Sequence, residues 1–211
     1  MARTSEPQLL VLHAVRLLGF GDTPAVADRA GTDPGETATL LSEAAGRGWL
    51  QRSSFADVGG WWLTEDGKGE NERALARERE SADPDGIIAA THREFLPLNA
   101  SLQRACTDWQ LKPTAAGRLA PNDHTDTDWD ARILDELTTI GAALAPLDER
   151  LAGVLVRFGG YHARFDAALD RARAGQGEWV DGTDVDSCHR VWFQLHEDLI
   201  ATLGLDRGAE A

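Results

Sequence analysis

Two histidines near the end of the chain have a spacing suited to ligand binding. His189 and His196 are seven residues apart, so both project from the same side of a helix, beside two aromatic residues. An aromatic wall with a few polar groups is typical of small-molecule cavities. With two aromatic residues from an earlier segment, the predicted ligand-binding set is Trp109, Trp192, Phe193, His189, His196 and Phe95. The alternative is that they belong to the core, where histidines usually hydrogen-bond a neighbouring helix.

Motifs of known catalytic chemistry are missing from the sequence. It contains no Gly-x-Ser-x-Gly, no phosphate-binding Gly-x-x-x-x-Gly-Lys, no dinucleotide fingerprint and no His-Glu-x-x-His. An active site would have to be assembled from residues far apart in the chain. We therefore expect a protein that is not an enzyme and that uses no cofactor.

Residues 122–130 are rich in oxygen ligands, which raises the question of a calcium site. An EF-hand loop starting at Asp126 would need glycine at its sixth position and glutamate at its twelfth. Ala131 and Leu137 occupy those positions. We therefore expect Asp126 or Thr127 to cap a helix, and we expect no metal site.

Composition and charge limit the class of protein further. The 211 residues include 21 Lys and Arg against 35 Asp and Glu, a formal net charge of −14. This excludes a protein that coats nucleic acid, because neutralising phosphates needs clustered cations. No run approaches the roughly 20 apolar residues of a membrane span, and no signal peptide begins the chain, so we expect a cytoplasmic protein without a membrane partner. Cys106 and Cys188 are expected to be isolated buried thiols.

A cluster of turn-forming residues at 81–86 marks a domain boundary, after the charged stretch 73–80. We predict one domain over residues 1–80 and a second over 84–211. Residues 1–80 have a net charge of −4 and residues 81–211 a net charge of −10, so most of the acidity lies in the second half.

The first half carries the signals of three short helices, a hairpin and a fourth helix. Apolar residues recur at helical spacing over residues 9–18. Two further helices start with proline at the first helical position, after the expected N-caps Thr23 and Asp33. Short aromatic segments on either side of residues 54–59 predict a β-hairpin, and Thr64 is expected to cap the fourth helix.

Three helices followed by a hairpin is the winged helix-turn-helix arrangement, with the hairpin as the wing. The run Leu40-Leu41-Ser42-Glu43-Ala44-Ala45-Gly46-Arg47-Gly48-Trp49-Leu50, followed by Gly60-Trp61-Trp62-Leu63-Thr64-Glu65-Asp66-Gly67-Lys68, resembles the MarR-like bacterial regulators of actinobacterial type. The resemblance covers residues 8–80 and implies a homodimeric, ligand-responsive transcription factor. The second half, which includes Trp192-Phe193-Gln194-Leu195-His196, resembles a helical module that follows such winged helices. It also resembles the tail of pyruvate, phosphate dikinase-like chains.

The third helix would enter the major groove, where Arg, Lys, Asn and Gln suit the base edges. Its exposed face offers hydroxyl groups and the carboxylates of Glu36 and Glu43 before its first cation. The wing tip contains Asp57 and no cation. The predicted DNA-binding set is Thr37, Thr39, Ser42, Arg47, Arg52 and Arg29.

From residue 84 onward the apolar periodicity predicts helices only. We expect Pro97 and Pro146 to interrupt them, residues 112–122 to form a mobile loop, and the last helices to cover 158–174 and 183–203. The predicted fold class is therefore mainly α: an N-terminal winged helix-turn-helix of three helices plus a β-hairpin wing, followed by an all-α helical domain.

These observations favour a homodimeric regulator that binds double-stranded operator DNA through the winged helix and a small organic molecule in the helical domain. Such a ligand regulates DNA binding only if two states of the dimer, which differ in the spacing of their DNA-binding domains, bind it with different affinity. The alternative is a protein that does not bind DNA, built on a degenerate winged helix. It would sequester a small molecule or dock on a partner, since one fold hosts many functions.

Overall fold

In a computed structural model, residues 2–55, 58–114 and 117–205 of the chain are described. The fold is mainly helical, with two small antiparallel sheets. It divides into two compact units. The first contains residues 2–86, 153–157 and 197–205, and the second contains Ile87–Ala152 and Phe158–His196. Within the described residues, every helix is too short or too polar to cross a lipid bilayer.

The elements follow one another along the chain as short helices and two hairpins. The N-terminal part holds α1 (Pro7–Leu18), α2 (Thr23–Ala30), α3 (Pro34–Gly46), β1 (Leu50–Phe55), β2 (Val58–Leu63) and α4 (Glu65–Ala82). The rest holds α5 (Ile87–Gln110), β3 (Leu111–Pro113), β4 (Leu119–Pro121), α6 (Thr127–Val154), a 3-10 turn (Val156–Phe158), α7 (Tyr161–Arg173), α8 (Glu178–Asp181) and α9 (Cys188–Leu203).

Side-chain caps start the helices of the first unit. Asp33 caps α3, as predicted, by accepting from the amide of Glu36, and Thr64 caps α4. The cap of α2 is Asp22, not the predicted Thr23: its Oδ1 accepts from the amide of Ala25 at 2.8 Å. A carboxylate one residue earlier reaches the third amide of the helix, which is the one that an N-cap satisfies.

The hairpin of β1 and β2 contributes to the core of the first unit. Leu50 lies opposite Leu63, and Arg52 lies opposite Trp61. Leu50 and Trp61 pack in one cluster with apolar residues of α1, α2 and α3: Val11, Leu12, Ala14, Val15, Val26, Leu41 and Ala44. The backbones of Gly21 and Trp61 also exchange two hydrogen bonds, of 3.2 and 2.7 Å. The hairpin is therefore attached to the turn between α1 and α2.

Two later segments of the chain, neither of them predicted from the sequence to do so, complete the first unit. The amide of Arg3 donates to the carbonyl of Val154 at 2.9 Å, and the amide of Val156 donates back to Arg3 at 3.0 Å. Near the end of α9, Ala201 packs against Leu9 and Leu75. The end of α6 thus pairs with the residues before α1, and the end of α9 supplies buried surface to α1 and α4.

Prolines do not interrupt the helices of the second half, contrary to the prediction. α5 continues through Pro97 and α6 through Pro146. A proline inside a helix removes one hydrogen bond, but apolar residues are buried on both sides of each: Phe95 and Leu102 in α5, Leu144 and Leu147 in α6. Burial of these faces offsets the lost bond.

The boundaries of other elements also differ from the prediction. The second half is not all-α as predicted, because β3 and β4 pair as a short ladder from Leu111 to Pro121. The two strands include residues 112–113 and 119–121 of the segment 112–122 that was expected to be a mobile loop, in which residues 115–116 lie outside the described residues. Proline is tolerated there because each strand of a two-stranded sheet has a free edge. The last helix begins at Cys188, after Ser187 accepts a hydrogen bond from the amide of Arg190, and α7 begins at Tyr161.

Candidate functional site

The exposed face of α3 carries hydroxyl groups and carboxylates. The hydroxyl of Thr39 donates to the carbonyl of Gly35 at 3.0 Å, and that of Ser42 donates to the carbonyl of Ala38 at 2.8 Å. Both side chains are exposed, and their oxygens keep lone pairs that can accept a further hydrogen bond. Glu36 and Glu43 are also exposed on α3, and Arg47 is exposed at its C-terminal end.

Thr37 does not belong to this face, which corrects the predicted DNA-contacting set. It is fully buried, and its hydroxyl donates to the carbonyl of Asp33 at 2.8 Å and lies 2.7 Å from the hydroxyl of Thr32. The signal was available in the sequence, because Thr37 stands four residues before Leu41 and seven before Ala44, on the apolar stripe of α3.

Arg47 and Arg52 are the exposed cations of the predicted set. The guanidinium of Arg47 lies 4.9 Å from the ring centre of Trp49, and that of Arg52 lies 5.5 Å from that of Trp61. Stacking on an aromatic ring restrains an arginine and leaves its N–H groups directed outward. Asp57, predicted at the wing tip, lies outside the described residues.

Arg29 has a different environment from these two arginines. It is half-buried in α2, and its charge acts on His13 and Asp198. Arg29 is therefore linked electrostatically to the interior of the first unit, and its contact with DNA stays a prediction from the sequence.

A buried cluster of charges, which was not predicted from the sequence, lies inside the first unit. Arg157 donates to Asp198 and, at 3.0 Å, to Glu78, and all three side chains are buried. Nε2 of His13 lies 3.0 Å from Asp198. Because a carboxylate only accepts hydrogen bonds, this nitrogen carries the proton. The hydroxyl of Thr202 accepts from Arg157 at 2.8 Å.

The protonation states of this cluster follow from burial and from the neighbouring charges. Burial opposes ionisation of Asp198, but Arg157 and His13 hold its pKa well below the usual range. Burial lowers the pKa of His13, and Asp198 only partly counteracts this. Burial also opposes the charge of Arg157, while Asp198 and Glu78 raise its pKa. The cluster therefore contains an ionised Asp198, a charged Arg157 and a neutral His13.

The sequence does carry a weak signal for this cluster. His13 interrupts an otherwise apolar stretch of α1, between Leu12 and Ala14, and Asp198 stands directly before the buried Leu199 of α9. A polar residue inside a buried stretch needs a partner, because burial without one is costly. The partner itself could not be deduced, since His13 and Asp198 are 185 positions apart.

Three residues of the predicted ligand-binding set meet in the second unit. The ring of Phe95 stacks on Trp192 at 4.8 Å and lies 5.3 Å from His196, measured between ring centres. The indole N–H of Trp192 donates to Asn99 at 3.0 Å. His92 stacks on His196, with 6.2 Å between the ring centres. Phe95 and Trp192 are part of the buried core of this unit.

The remaining three residues of that set lie elsewhere. His189 and Phe193 are exposed on α9, and Trp109 packs at 4.5 Å against His124. The seven-residue spacing therefore does not place both His189 and His196 in one buried site. Sequence periodicity predicts on which side of a helix a residue lies. It does not predict how much of that side the neighbouring elements cover.

The oxygen-rich loop before α6 uses its polar groups internally. Asp130 accepts from the side-chain amide of Asn122 at 2.9 Å and lies 3.0 Å from Nδ1 of His124. Asp126 accepts from the amide of Trp129 at 3.1 Å, in the predicted capping role. Across residues 2–55, 58–114 and 117–205, no group of three or more His, Cys, Asp or Glu could hold a metal ion.

Both cysteines are free and buried in the second unit. Burial raises the pKa of the Cys106 and Cys188 thiols to about 12. At neutral pH both thiols are therefore protonated and poor nucleophiles, as expected for the buried thiols that the sequence predicts.

Comparisons of the chain with protein-family models, with curated proteins and with solved structures give no match. The resemblance to the MarR-like regulators therefore stays a prediction from the sequence.

Proposed function

We propose that the chain is a transcriptional regulator of the winged helix-turn-helix class, similar to the MarR-like regulators, that binds operator DNA as a homodimer. The observation that carries the proposal is the order of the first unit, in which α1, α2 and α3 precede a β-hairpin packed on their common core. In this class the third helix enters the major groove and the hairpin contacts the adjacent backbone.

The polar side chains of α3 support this role for the helix. Thr39 and Ser42 are exposed along its outer face, and Arg47 follows at its end. Hydroxyl groups suit several base edges, and arginine suits guanine and phosphate. Arg52 is exposed on β1, where the class places its wing. Arg47 and Arg52 thus supply the cations of the proposed interface.

The interface carries little positive charge. A homodimer doubles Arg47 and Arg52 to four cations, which corresponds to a slope of about −4 for the logarithm of affinity against the logarithm of salt concentration. Glu36 and Glu43, exposed on α3, repel phosphates and weaken binding further. We therefore propose modest affinity with sequence preference, instead of tight binding to any duplex.

We also propose that a small organic molecule controls DNA binding. Such a ligand changes the affinity for DNA only to the extent that it binds the DNA-competent and DNA-incompetent states differently. The rings of Phe95, Trp192 and His196 already pack on one another, so a ligand in that cluster would have to separate them.

Fluorescence anisotropy tests the DNA-binding proposal. The full chain is titrated into a labelled duplex from its own promoter region and into a shuffled duplex of equal composition, at about 50 and about 200 mM salt. We expect the promoter duplex to bind at least about tenfold more tightly than the shuffled one at both salt concentrations. Equal affinity for the two duplexes at low salt would contradict the proposal.

A second candidate function has one observation in its favour. Phe20 and Trp62 are 43% and 41% exposed. The ring of Phe20 covers Gly60, and Gly60 lies on the same face of β2 as Trp62 because the two residues are two positions apart. Exposed aromatic residues on β2 and the turn between α1 and α2 suit a protein partner better than DNA. If the first unit docks on a protein instead, the anisotropy titration shows no preference between duplexes.

A further inference from the structure

Asn71 of α4 is a buried amide whose hydrogen bonding is incomplete. Its side chain is fully buried, and among the residues that the structure describes its Nδ2 has no hydrogen-bond partner. Its Oδ1 faces two residues of α1: it lies 3.4 Å from Nδ1 of His13 and 3.5 Å from Nη1 of Arg16. A buried amide N–H without a partner costs free energy, because it has lost its hydrogen bonds to water.

His13 lies between Asn71 and Asp198 and turns one ring nitrogen towards each. Nε2 carries a proton because it faces the carboxylate of Asp198 at 3.0 Å. In neutral His13 the lone pair is therefore at Nδ1, the nitrogen that faces Asn71. This lone pair and Oδ1 are both acceptors, so they do not form a hydrogen bond with each other.

A half-turn of the Asn71 amide about its Cβ–Cγ bond exchanges Oδ1 and Nδ2 without changing the shape of the side chain. Nδ2 then donates to Nδ1 of neutral His13, and both atoms gain the partner that they lack. When His13 takes up a second proton, Nδ1 becomes a donor, and Oδ1 is the atom that can accept from it. Each protonation state of His13 thus favours one orientation of Asn71.

Arg16 connects the orientation of this amide with α4 and α9. Its Nε donates to Glu197 of α9 at 2.8 Å, and its Nη1 donates to Glu72 of α4 at 3.1 Å. Nη1 can donate to Asn71 as well, but only while Oδ1 faces it, since Nδ2 is itself a donor. The orientation of Asn71 therefore decides whether Arg16 has a third acceptor.

Charged groups from several elements determine when His13 takes up a proton. Burial opposes a charge on His13 and lowers its pKa. Asp198 of α9 favours the proton, whereas Arg157 of the segment after α6 and Arg29 of α2 oppose it. The charged groups that pair with the neighbours of His13 are Glu78 on Arg157, and Glu72 and Glu197 on Arg16. His13 is therefore neutral at neutral pH and is protonated only in acid.

We propose that His13 and Asn71 form an acid-responsive switch in the first unit. Proton uptake by His13 turns the amide of Asn71 so that Oδ1 replaces Nδ2 beside the imidazole, and the same turn gives Arg16 its third acceptor. Acid thereby changes how α1 is connected with α4 and α9. The switch does not depend on the proposed function, because none of these residues lies on the exposed face of α3.

Nitrogen-15 NMR of the labelled full chain, between about pH 7.5 and about pH 5, tests the switch. At the upper pH we expect His13 to carry its proton at Nε2. As the pH falls, the side-chain N–H resonances of Asn71 and the Nε–H resonance of Arg16 should shift with the same midpoint as the His13 ring. The side-chain amide of Gln194, buried in the second unit, is the control and should stay constant.

Three results of this titration overturn the switch. The first is that the Asn71 resonances stay constant while His13 takes up its proton. The second is that neutral His13 carries its proton at Nδ1. The third is that the chain unfolds before His13 is protonated, because the folded state then has no second protonation state to which Asn71 could respond.

Asn71→Asp keeps the size of the side chain but presents an acceptor oxygen in either orientation. The carboxylate should raise the midpoint of the His13 titration by at least about one pH unit, a tenfold gain in proton affinity. Arg16 then has its third acceptor at every pH, so its Nε–H resonance should lose most of its pH dependence.

Gln51→Glu adds the same charge at an exposed position of β1 and is the matched control. It should leave the midpoint of His13 within about 0.3 pH units of the parent. An unchanged midpoint in Asn71→Asp overturns the contact between residue 71 and Nδ1 on which the switch depends. If Asn71→Asp does not fold, the titration of the parent chain decides the proposal by itself.

Discussion

Asp198 holds together three parts of the first unit. Its carboxylate meets His13 of α1 and Arg157 of the segment after α6, while Arg157 also contacts Glu78 of α4. All of these side chains are buried. Removing one partner of a buried ion pair leaves the other charge without compensation, which costs much more than losing a surface pair.

We expect Asp198→Asn to lower the free energy of unfolding by about 3–5 kcal/mol. The amide keeps the size of the side chain but removes the charge that compensates Arg157. Urea denaturation at neutral pH measures the effect. Asp184→Asn, at an exposed position, is the control and should change the free energy by less than about 0.5 kcal/mol. Equal stability of the two variants would show that the cluster does not hold the unit together.

His13 makes the stability of the first unit depend on pH in a defined window. Burial lowers its pKa in the folded state, so the unfolded chain binds a proton below about pH 6.5 while the folded chain does not. Lowering the pH from 7 towards 5 should therefore reduce the free energy of unfolding, by roughly 1 kcal/mol per pH unit at most. Asp198, whose pKa is depressed, loses its contribution only below about pH 4.

Urea denaturation between pH 5 and pH 7 tests whether His13 causes this loss of stability at low pH. The measurement compares the parent chain with His13→Gln. The glutamine can still donate to Asp198 but does not titrate, so the variant should show a shallower pH dependence than the parent. His189→Gln, at an exposed position, should keep the slope of the parent. A slope in His13→Gln as steep as in the parent would assign the dependence to another group.

At the scale of elements, the motif that carries the resemblance has a packing role. The hydroxyl of Thr64 accepts from the amide of Gly67 at 3.0 Å and donates to the carbonyl of Gly48 at 2.7 Å. Gly67 lies so close to the residue before β1 that a Cβ there would stand 1.9 Å from the carbonyl oxygen of Trp49. The Leu-Thr-x-x-Gly sequence thus docks α4 onto the start of the hairpin.

Gly67→Ala should destabilise the first unit by about 1–3 kcal/mol, because the new methyl group meets backbone that cannot move aside easily. Gly69→Ala, two residues later in the same helix, is the matched control. Its nearest neighbour is a flexible arginine atom at 3.5 Å, so alanine should stabilise α4 by about 0.5–1 kcal/mol. Thermal unfolding followed by circular dichroism distinguishes the two. Equal shifts in both variants would contradict the close approach of α4.

What could be predicted from the sequence depended on distance along the chain. The caps Asp33, Thr64 and Asp126 and the hairpin arise from neighbouring residues, so local rules found them. Thr37 was misplaced although its apolar periodicity was visible. The continuation of α5 through Pro97 depends on tertiary burial on both sides, which overrides the local cost of a proline.

At the scale of the whole molecule, the first unit is not continuous in sequence. Residues 153–157 and 197–205 return to it and supply Arg157 and Asp198. These two are 41 positions apart, and no local rule connects either of them with α1 or α4. The partial dispersal of the predicted ligand-binding set and the unpredicted buried cluster have the same cause: both depend on contacts between distant segments.

A fragment of residues 1–86 should therefore fold poorly. It would retain His13 and Glu78 without their partners and would expose Leu9 and Leu75, which Ala201 covers in the full chain. We expect low helicity and no cooperative thermal transition by circular dichroism. The full chain measured alongside should unfold cooperatively. A fragment that unfolds cooperatively at the same temperature as the full chain would contradict the interdependence of these segments.

The central claim is that α3 contacts DNA. Two substitutions test it most directly: one removes a negative charge from α3, and the other removes a positive charge at its C-terminal end. Anisotropy titrations of the promoter duplex compare Glu43→Gln and Arg47→Gln with Arg93→Gln, an exposed control in the second unit. We predict about two- to fivefold tighter binding for Glu43→Gln, about tenfold weaker binding for Arg47→Gln, and no change for the control. If the first two variants bind the duplex as the parent does, α3 does not contact DNA and the account is contradicted.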